Sequence, residues 1–357
     1  MMNGIALRKS LPLPGWDALV GTAIELAERG WLPDRLIRAG IRRFVSDRLE
    51  EQRRSGSSTA ELAERLKSMP IAVEVAMANQ QHYEVPPEFY AWVLGRRLKY
   101  SCGYWSDNAT TLDEAEEAML ALTAERAGVE DGMEVLDLGC GWGSFTLWLA
   151  ERQPRTRVVA VSNSVAQGRF IAARAAGSGL TNVDVVTADI NSLVFPERFD
   201  RVVSVEMFEH ARNYQRLLGR IRGWLRPRGQ LFVHIFCHRD HAYLYDADGP
   251  SNWMARHFFT GGTMPSANLL AHFQDDLTLD ASWWLDGTHY ARTAEAWLTN
   301  LDRARGEVAA LFSQSCHPDQ VARSIQRWRL FFLGCAEMFA FSAGKEWGVG
   351  HYRFVRQ

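Results

Sequence analysis

Residues Met133–Glu151 read MEVLDLGCGWGSFTLWLAE. Met133, Val135, Leu136 and Leu138 form a short apolar run of the kind a buried strand uses. Asp137, Gly139, Gly141 and Gly143 then punctuate a tight turn before an apolar helix that starts near Ser144. Strand, glycine turn and helix together make a cofactor cradle. With no Cβ at 139 and 141 the backbone can take positive φ and lie against a ligand, and the helix N-terminus offers free N–H groups. Asp137 supplies an acceptor. A dinucleotide fingerprint needs G-x-G-x-x-G and an acidic residue closing the next strand. The spacing here is D-x-G-x-G-x-G, and the next strand, Arg157 to Val161, runs into Ser162, Asn163 and Ser164.

Downstream, the chain alternates as a doubly wound α/β domain does. Strands are expected at Val158–Val161, Val183–Thr187, Arg201–Val205 and Gln230–Phe236, with helices at Val165–Ala176 and Tyr214–Trp224. An amphipathic helix, Asp113–Ala127, feeds the glycine turn. From Cys237 to Met264 the period is lost and the residues become aromatic and polar, which reads as a lid inserted over the strand ends where such folds bind ligands. Helices are expected over Ser266–Phe273, Thr293–Phe312 and Pro318–Phe341, and a strand over Trp347–Val355. Upstream, Asp17–Arg54 is helical with a break at Gly30 and Asp34 placed to cap the second helix. Ser55–Thr59 is a linker before a short helix, Ala60–Lys67. The stretch Ala78–Trp105 is dense in aromatic residues around Gly103, as a pocket wall would be. The division that follows is 1–110, N-terminal helices and pocket wall; 111–236, cofactor-binding core; 237–300, lid and acceptor-binding insertion with the return to the sheet; 301–357, C-terminal helices and last strand.

Length and charge narrow the function classes. A chain of 357 residues with 47% hydrophobic and 23% charged residues can bury one large core with an appended region. A formal charge of −2 gives no footprint for a polyanion, so a nucleic-acid acceptor is disfavoured. Arg35, Arg38, Arg42, Arg43 and Arg48 crowd one helix face in the manner of a membrane-surface helix. Asp47, Glu50 and Glu51 follow at once, and packing on the protein itself is the expected use of that helix. The five cysteines, at 102, 140, 237, 316 and 335, are odd in number and widely spaced, which argues against a disulfide framework or a zinc knuckle. The N-terminal residues lack the apolar core of a signal peptide and no segment is long enough to span a membrane, so a cytoplasmic location is expected.

Chemistry is concentrated in Val205–His210, VEMFEH, just past the fourth strand. Glu206, Glu209 and His210 put two carboxylates and an imidazole within five residues, a set suited to general-base work or to holding a cationic acceptor. The spacing of His234, His238 and His241 is not diagnostic of a metal, and none is expected.

These stretches resemble a known family. The glycine turn is similar to the S-adenosylmethionine pocket of class I, Rossmann-like methyltransferases. YSCGYW, VLDLGCGWG, FDRVVSVEMFEH and EWGVGHYRF resemble the cyclopropane-fatty-acyl-phospholipid synthase superfamily of methyltransferases. HFFTGGTMPSANLLAHFQDDL, HYARTAEAWLTNLD and the N-terminal helices are most similar to its coclaurine N-methyltransferase branch. The resemblance implies S-adenosyl-L-methionine contacts at Tyr100, Ser101, Gly139, Gly141, Ser162 and Gln167, with Asp189 and Ile190 beside the adenine. The N-methyltransferase branch implies a catalytic pair at Glu209 and His210 with Glu206 near a small amine acceptor. The lipid branch implies a bicarbonate base held by Cys102, Glu209, His234 and Tyr290 and the backbone of Phe236. An amine must shed a proton before or during attack, whereas an alkene makes a carbocation from which a buried base removes a proton to close a ring. Amine methylation is the first reading, and methylene or methyl transfer to an unsaturated lipid is the second.

Overall fold

The computed structural model describes residues 16–56, 58–72, 85–245, 252–315 and 317–357. Residues 1–15, the start of the aromatic stretch at 78–84, residues 246–251 of the expected lid, and Cys316 lie outside them. Seven strands form one sheet in the order β3-β2-β1-β4-β5-β9-β8. Their ranges are β1 Glu134–Leu138, β2 Arg157–Ser162, β3 Val183–Thr187, β4 Phe199–Val205, β5 Leu225–His238, β8 Thr278–Asp286 and β9 Trp347–Val355. A separate two-stranded sheet pairs β6, Tyr243–Leu244, with β7, Thr263–Met264. In the large sheet β1 to β5 pair in parallel, and β9 runs against both of its neighbours.

The central strands are apolar because helices cover both of their faces. Val135, Leu136, Leu138, Val158, Val159, Val202 and Val203 are all buried. On the helix Leu112–Ala127, Leu112, Ala115, Glu116, Met119, Leu120, Thr123, Ala124 and Ala127 are buried at a spacing of three and four, so one stripe faces the core. Thr111 and Glu114 close a reciprocal capping box at its start, and Gly128 ends it in the left-handed region.

Several expectations needed correction. The edge strand β8 was not read from TLDASWWLD. The expected helix Ser266–Phe273 is only a 3-10 turn at Leu269–His272, and Thr293–Phe312 is two helices, Thr288–Arg303 and Arg305–Phe312. Asp34 does not cap its helix: Pro33 holds the cap position and Asp34 accepts from Arg329 at 2.8 Å. Part of the basic face of that helix pairs with acids of other helices, while Arg35, Arg42 and Arg43 stay exposed. Arg38 bonds Glu295 and Glu337, and Arg42 bonds Glu337 at 2.8 Å. Among the described residues no helix is long and apolar enough to cross a membrane. Cys102, Cys140, Cys237 and Cys335 are free and buried.

Candidate active site

The glycine turn and the start of β4's outgoing loop face one cleft at the C-terminal end of the parallel strands. Gly139 and Gly141 have φ of 82° and 54°. A Cβ on Gly139 would sit 2.7 Å from the Met207 side chain, so that glycine lets two loops touch. A Cβ on Gly141 would meet nothing within 4 Å, so its backbone borders open space. Two groups of residues line the cleft: Gly139, Gly141, Ser162, Gln167 and Ile190 from the glycine turn and the strands and helix beside it, and Glu206, Met207 and His210 past β4. Ser162 Oγ donates to Gln167 Oε1 at 2.7 Å and accepts from the Ser164 N–H at 3.0 Å. That leaves Gln167 Nε2 buried without a partner among the described residues, a donor for a ligand's oxygen or ring nitrogen.

Other expected cofactor residues lie around this cleft without lining it. Asp137 is buried and accepts from the Thr146 hydroxyl at 2.6 Å, bracing the first turn of the helix Ser144–Arg152; burial pushes its carboxyl up to about 6. Tyr100 packs between the rings of Tyr90 and Trp297, and Ser101 Oγ accepts from the buried Lys99 ammonium at 2.5 Å. Asp189 is exposed and accepts from the Asn191 N–H at 2.8 Å. Sequence reasoning missed Ala72, Asn163 and Met207 on the lining. Ala72 arrives from the N-terminal region, where it bridges Ala211 and donates to Asn191 Oδ1 at 3.2 Å; no local pattern announces such a contact.

Glu206 is the hub of the second group. Its backbone takes φ 47°, a region that favours glycine, and its N–H donates to the His234 carbonyl at 2.8 Å. Holding a residue with a Cβ there costs on the order of 1–3 kcal/mol, the kind of local strain that surrounding contacts at functional sites maintain. Those contacts are plain. Glu206 Oε2 accepts from the Tyr290 hydroxyl at 2.5 Å, and Oε1 accepts from the Cys102 N–H at 3.1 Å and lies 3.2 Å from His234 Nε2. Three of the groups that the resemblance assigned to bicarbonate, Cys102, His234 and Tyr290, therefore converge on a carboxylate of the chain itself, whereas Glu209 and the Phe236 backbone do not bond it. Cys102 takes part through its backbone, since its thiol donates to the Gly103 carbonyl at 3.2 Å.

The two carboxyls of VEMFEH differ sharply. Burial raises Glu206, opposed by the Lys99 ammonium and by bonds from Tyr290 and Cys102. Burial and then the neighbouring Glu206 charge lift Glu209 well above the carboxylate range, opposed only by a bond from its own backbone N–H, and among the described residues its buried Oε2 has no partner. Tyr290 and the Cys102 N–H donate to the Glu206 carboxylate, so of the two carboxyls it is Glu206 whose charged form the surroundings favour and Glu209 whose protonated form they favour.

The sheet order and the glycine cradle, with acid groups past β4, define an S-adenosylmethionine-dependent methyltransferase of class I. The chain belongs to the mycolic acid cyclopropane synthetase family, whose profile matches residues 73–345. Among its relatives, (S)-coclaurine N-methyltransferase of Thalictrum flavum subsp. glaucum is 39% identical over 350 residues, 95% of this chain and 97% of the relative. Cyclopropane-fatty-acyl-phospholipid synthase of Escherichia coli (strain K12) is 28% identical over 269 residues, 72% of this chain and 67% of the relative. The crystal structure of coclaurine N-methyltransferase bound to N-methylheliamine and SAH superposes with a TM-score of 0.91 at 37% identity, covering 94% of this chain and 99% of that one. The mycolic acid cyclopropane synthase CmaA1, complexed with SAH and CTAB, gives 0.67 at 25% identity over 78% of this chain and 98% of that one.

Proposed function

We propose that this chain methylates the nitrogen of a small amine, with the Glu206 carboxylate holding the amine and taking its proton. The observation that carries this reading is the place of Glu206: locked by Tyr290, Cys102 and His234, and lining the cleft that the glycine turn also lines. Support comes from relatives named as N-methyltransferases that match nearly end to end. A buried anion stabilises a cationic amine and then accepts its proton, which exposes the nitrogen lone pair. His210, on the same cleft, is the second group within reach of the acceptor.

The cofactor's residues on this reading are Gly139, Gly141, Ser162, Gln167 and Ile190. Gln167 Nε2 supplies the free donor, and Tyr100, Ser101 and Asp189 stand outside them. Bound S-adenosylmethionine supplies an electrophilic methyl group. The acceptor's cover is assigned to the insertion after β5, where the Tyr245 and Phe259 rings stack at 5.3 Å and Gly262 passes close to the Glu209 backbone.

On this reading the amine's proton goes to Glu206 and bicarbonate is not required, since Tyr290, His234 and the Cys102 N–H, three of the groups that would hold it, bond Glu206. The test is turnover of a panel of small secondary amines and of a cis-unsaturated phospholipid, each with and without dissolved carbonate, read by product mass. Amine methylation that ignores carbonate is the expected result. A lipid product heavier by a methylene, dependent on carbonate and with no amine methylated, would overturn the reading in favour of the synthase chemistry.

A further inference from the structure

Behind His234 the hydrogen bonds continue away from the cleft. His351 Nε2 lies 2.9 Å from His234 Nδ1, and Arg126 Nη1 lies 2.8 Å from His351 Nδ1. The line is built by strand register: His234 and His351 are direct partners across β5 and β9, and Trp283 on β8 is the next partner of His351. Arg126, near the end of the helix Leu112–Ala127, lies over the Trp283 ring at 4.9 Å. Both histidines are wholly buried. Among the described residues no carboxylate pairs with Arg126, so its donor is directed at the imidazole.

A guanidinium only donates. His351 must therefore accept at Nδ1 and carry its proton on Nε2, which donates to His234 Nδ1. His234 in turn must carry its proton on Nε2, which donates to Glu206 Oε1. A charged His351 would set two N–H donors nose to nose with Arg126. Burial and the charges of Arg126 and Lys99 hold both imidazoles well below their ordinary range, in agreement with this neutral pattern. We propose that Arg126 and His351 are positioning residues which lock His234 as the Nε2–H tautomer, so that it always offers a proton to Glu206 and never withdraws one. The kinetic side of this proposal rests on the reading of Glu206 as the amine's base; the tautomer assignment does not.

The direction of the line has a consequence for proton release. Every donor in it points toward Glu206 and the far end is an arginine, so a proton gained by Glu206 cannot leave through the histidines. It must leave on the cleft side, where His210 stands. The other titratable or charged groups facing this assembly are Lys99, Cys102, Tyr290, Glu209 and Cys335 around Glu206, and Glu125 and Tyr104 beside Arg126.

Nitrogen-15 NMR of the imidazoles in the full-length protein tests the lock without any acceptor present. The expected wild-type spectrum shows His234 and His351 neutral near pH 7, both with the proton on Nε2. His351→Gln keeps an acceptor for Arg126 and a donor for His234, so its kcat should stay within about threefold and the His234 tautomer should persist. His351→Phe removes both, and should mix the His234 tautomers, lower kcat about tenfold and shift the acid limb of the pH profile, with cofactor affinity unchanged. If His351→Phe fails to fold, Arg126→Met gives the same readouts from a half-buried position. The lock is overturned if wild-type His351 carries its proton on Nδ1, if either histidine is charged, or if the Phe and Gln variants behave alike. A correct tautomer pattern in a protein that methylates no amine would refute the proposed function and leave the lock standing.

Discussion

The two walls of the cleft are built on different principles. The wall carrying Gly139, Gly141, Ser162 and Gln167 uses backbone and neutral side chains, from one strand-turn-helix unit, the strand beside it and the helix Val165–Gly177 that follows that strand. The wall around Glu206 uses buried ionisable groups gathered from the segment 99–102, the end of β4, β5, β9 and the helix Thr288–Arg303. The first tolerates a change of charge poorly only where it changes shape. The second depends on which of several buried groups holds a proton. Substitutions should therefore act through space on one wall and through ionisation on the other.

The largest effect is expected on the neutral wall. Gly141→Val puts a branched side chain at φ 54°, strained for any residue with a Cβ, and directs it into the open cleft. S-adenosylmethionine binding measured by calorimetry should be abolished, while circular dichroism shows the sheet intact. A folded variant with wild-type affinity would remove Gly141 from the cofactor site and with it the contrast between the walls.

On the charged wall Glu206→Gln preserves size and removes the charge. Turnover should fall roughly 10²-fold or more at unchanged cofactor affinity. The pH profile of the wild type carries the sign of the same assignment. A base works only when ionised, so activity is lost as pH falls through the Glu206 pKa. Because burial raises that pKa, the acid limb should lie above the range of an exposed carboxylate. Tyr290→Phe removes a donor to the charged form and should move the limb to still higher pH. A limb that stays put in that variant would mean another group is being titrated.

How far each wall is legible in sequence follows from the same division. The glycine turn is a local event: β1, the turn and the helix from Ser144 are contiguous, and period and punctuation place them. Glu206, Glu209 and His210 are also contiguous, so their position past β4 is visible, but not which of them is charged. That depends on Tyr290, Lys99 and Cys102, brought in by the fold. His351 stands within the quoted EWGVGHYRF, yet its partner His234 is 117 residues away, and only the pairing of β5 with β9 joins them. Arg126 reads as the basic end of an amphipathic helix. The strand β8 escaped because an edge strand needs no continuous apolar run, and TLDASWWLD puts Asp280 and Ser282 among its apolar residues. Asp34 was read as a cap because it precedes a helical pattern, but its carboxylate is drawn to Arg329, 295 residues on.

The smallest expected effect divides the two carboxyls of one short segment. Glu209 is nearly as buried as the histidines, has no partner for its Oε2 among the described residues and faces Glu206, so burial and that neighbour favour its protonated form. Glutamine is close to a protonated glutamate in shape and in offering one donor beside one acceptor. Glu209→Gln should then change kcat less than about threefold. It should also leave the acid limb in place, because a Glu209 that stays protonated while Glu206 titrates has no charge for the substitution to remove. The family resemblance that pairs Glu209 with His210 as catalytic residues makes the opposite forecast, a loss of 10²-fold or more at this position. Steady-state kinetics of the two single variants side by side decides between them. Equal losses for Glu206→Gln and Glu209→Gln would mean that both carboxyls share one ionisation, and the assignment of the charge to Glu206 alone would be withdrawn.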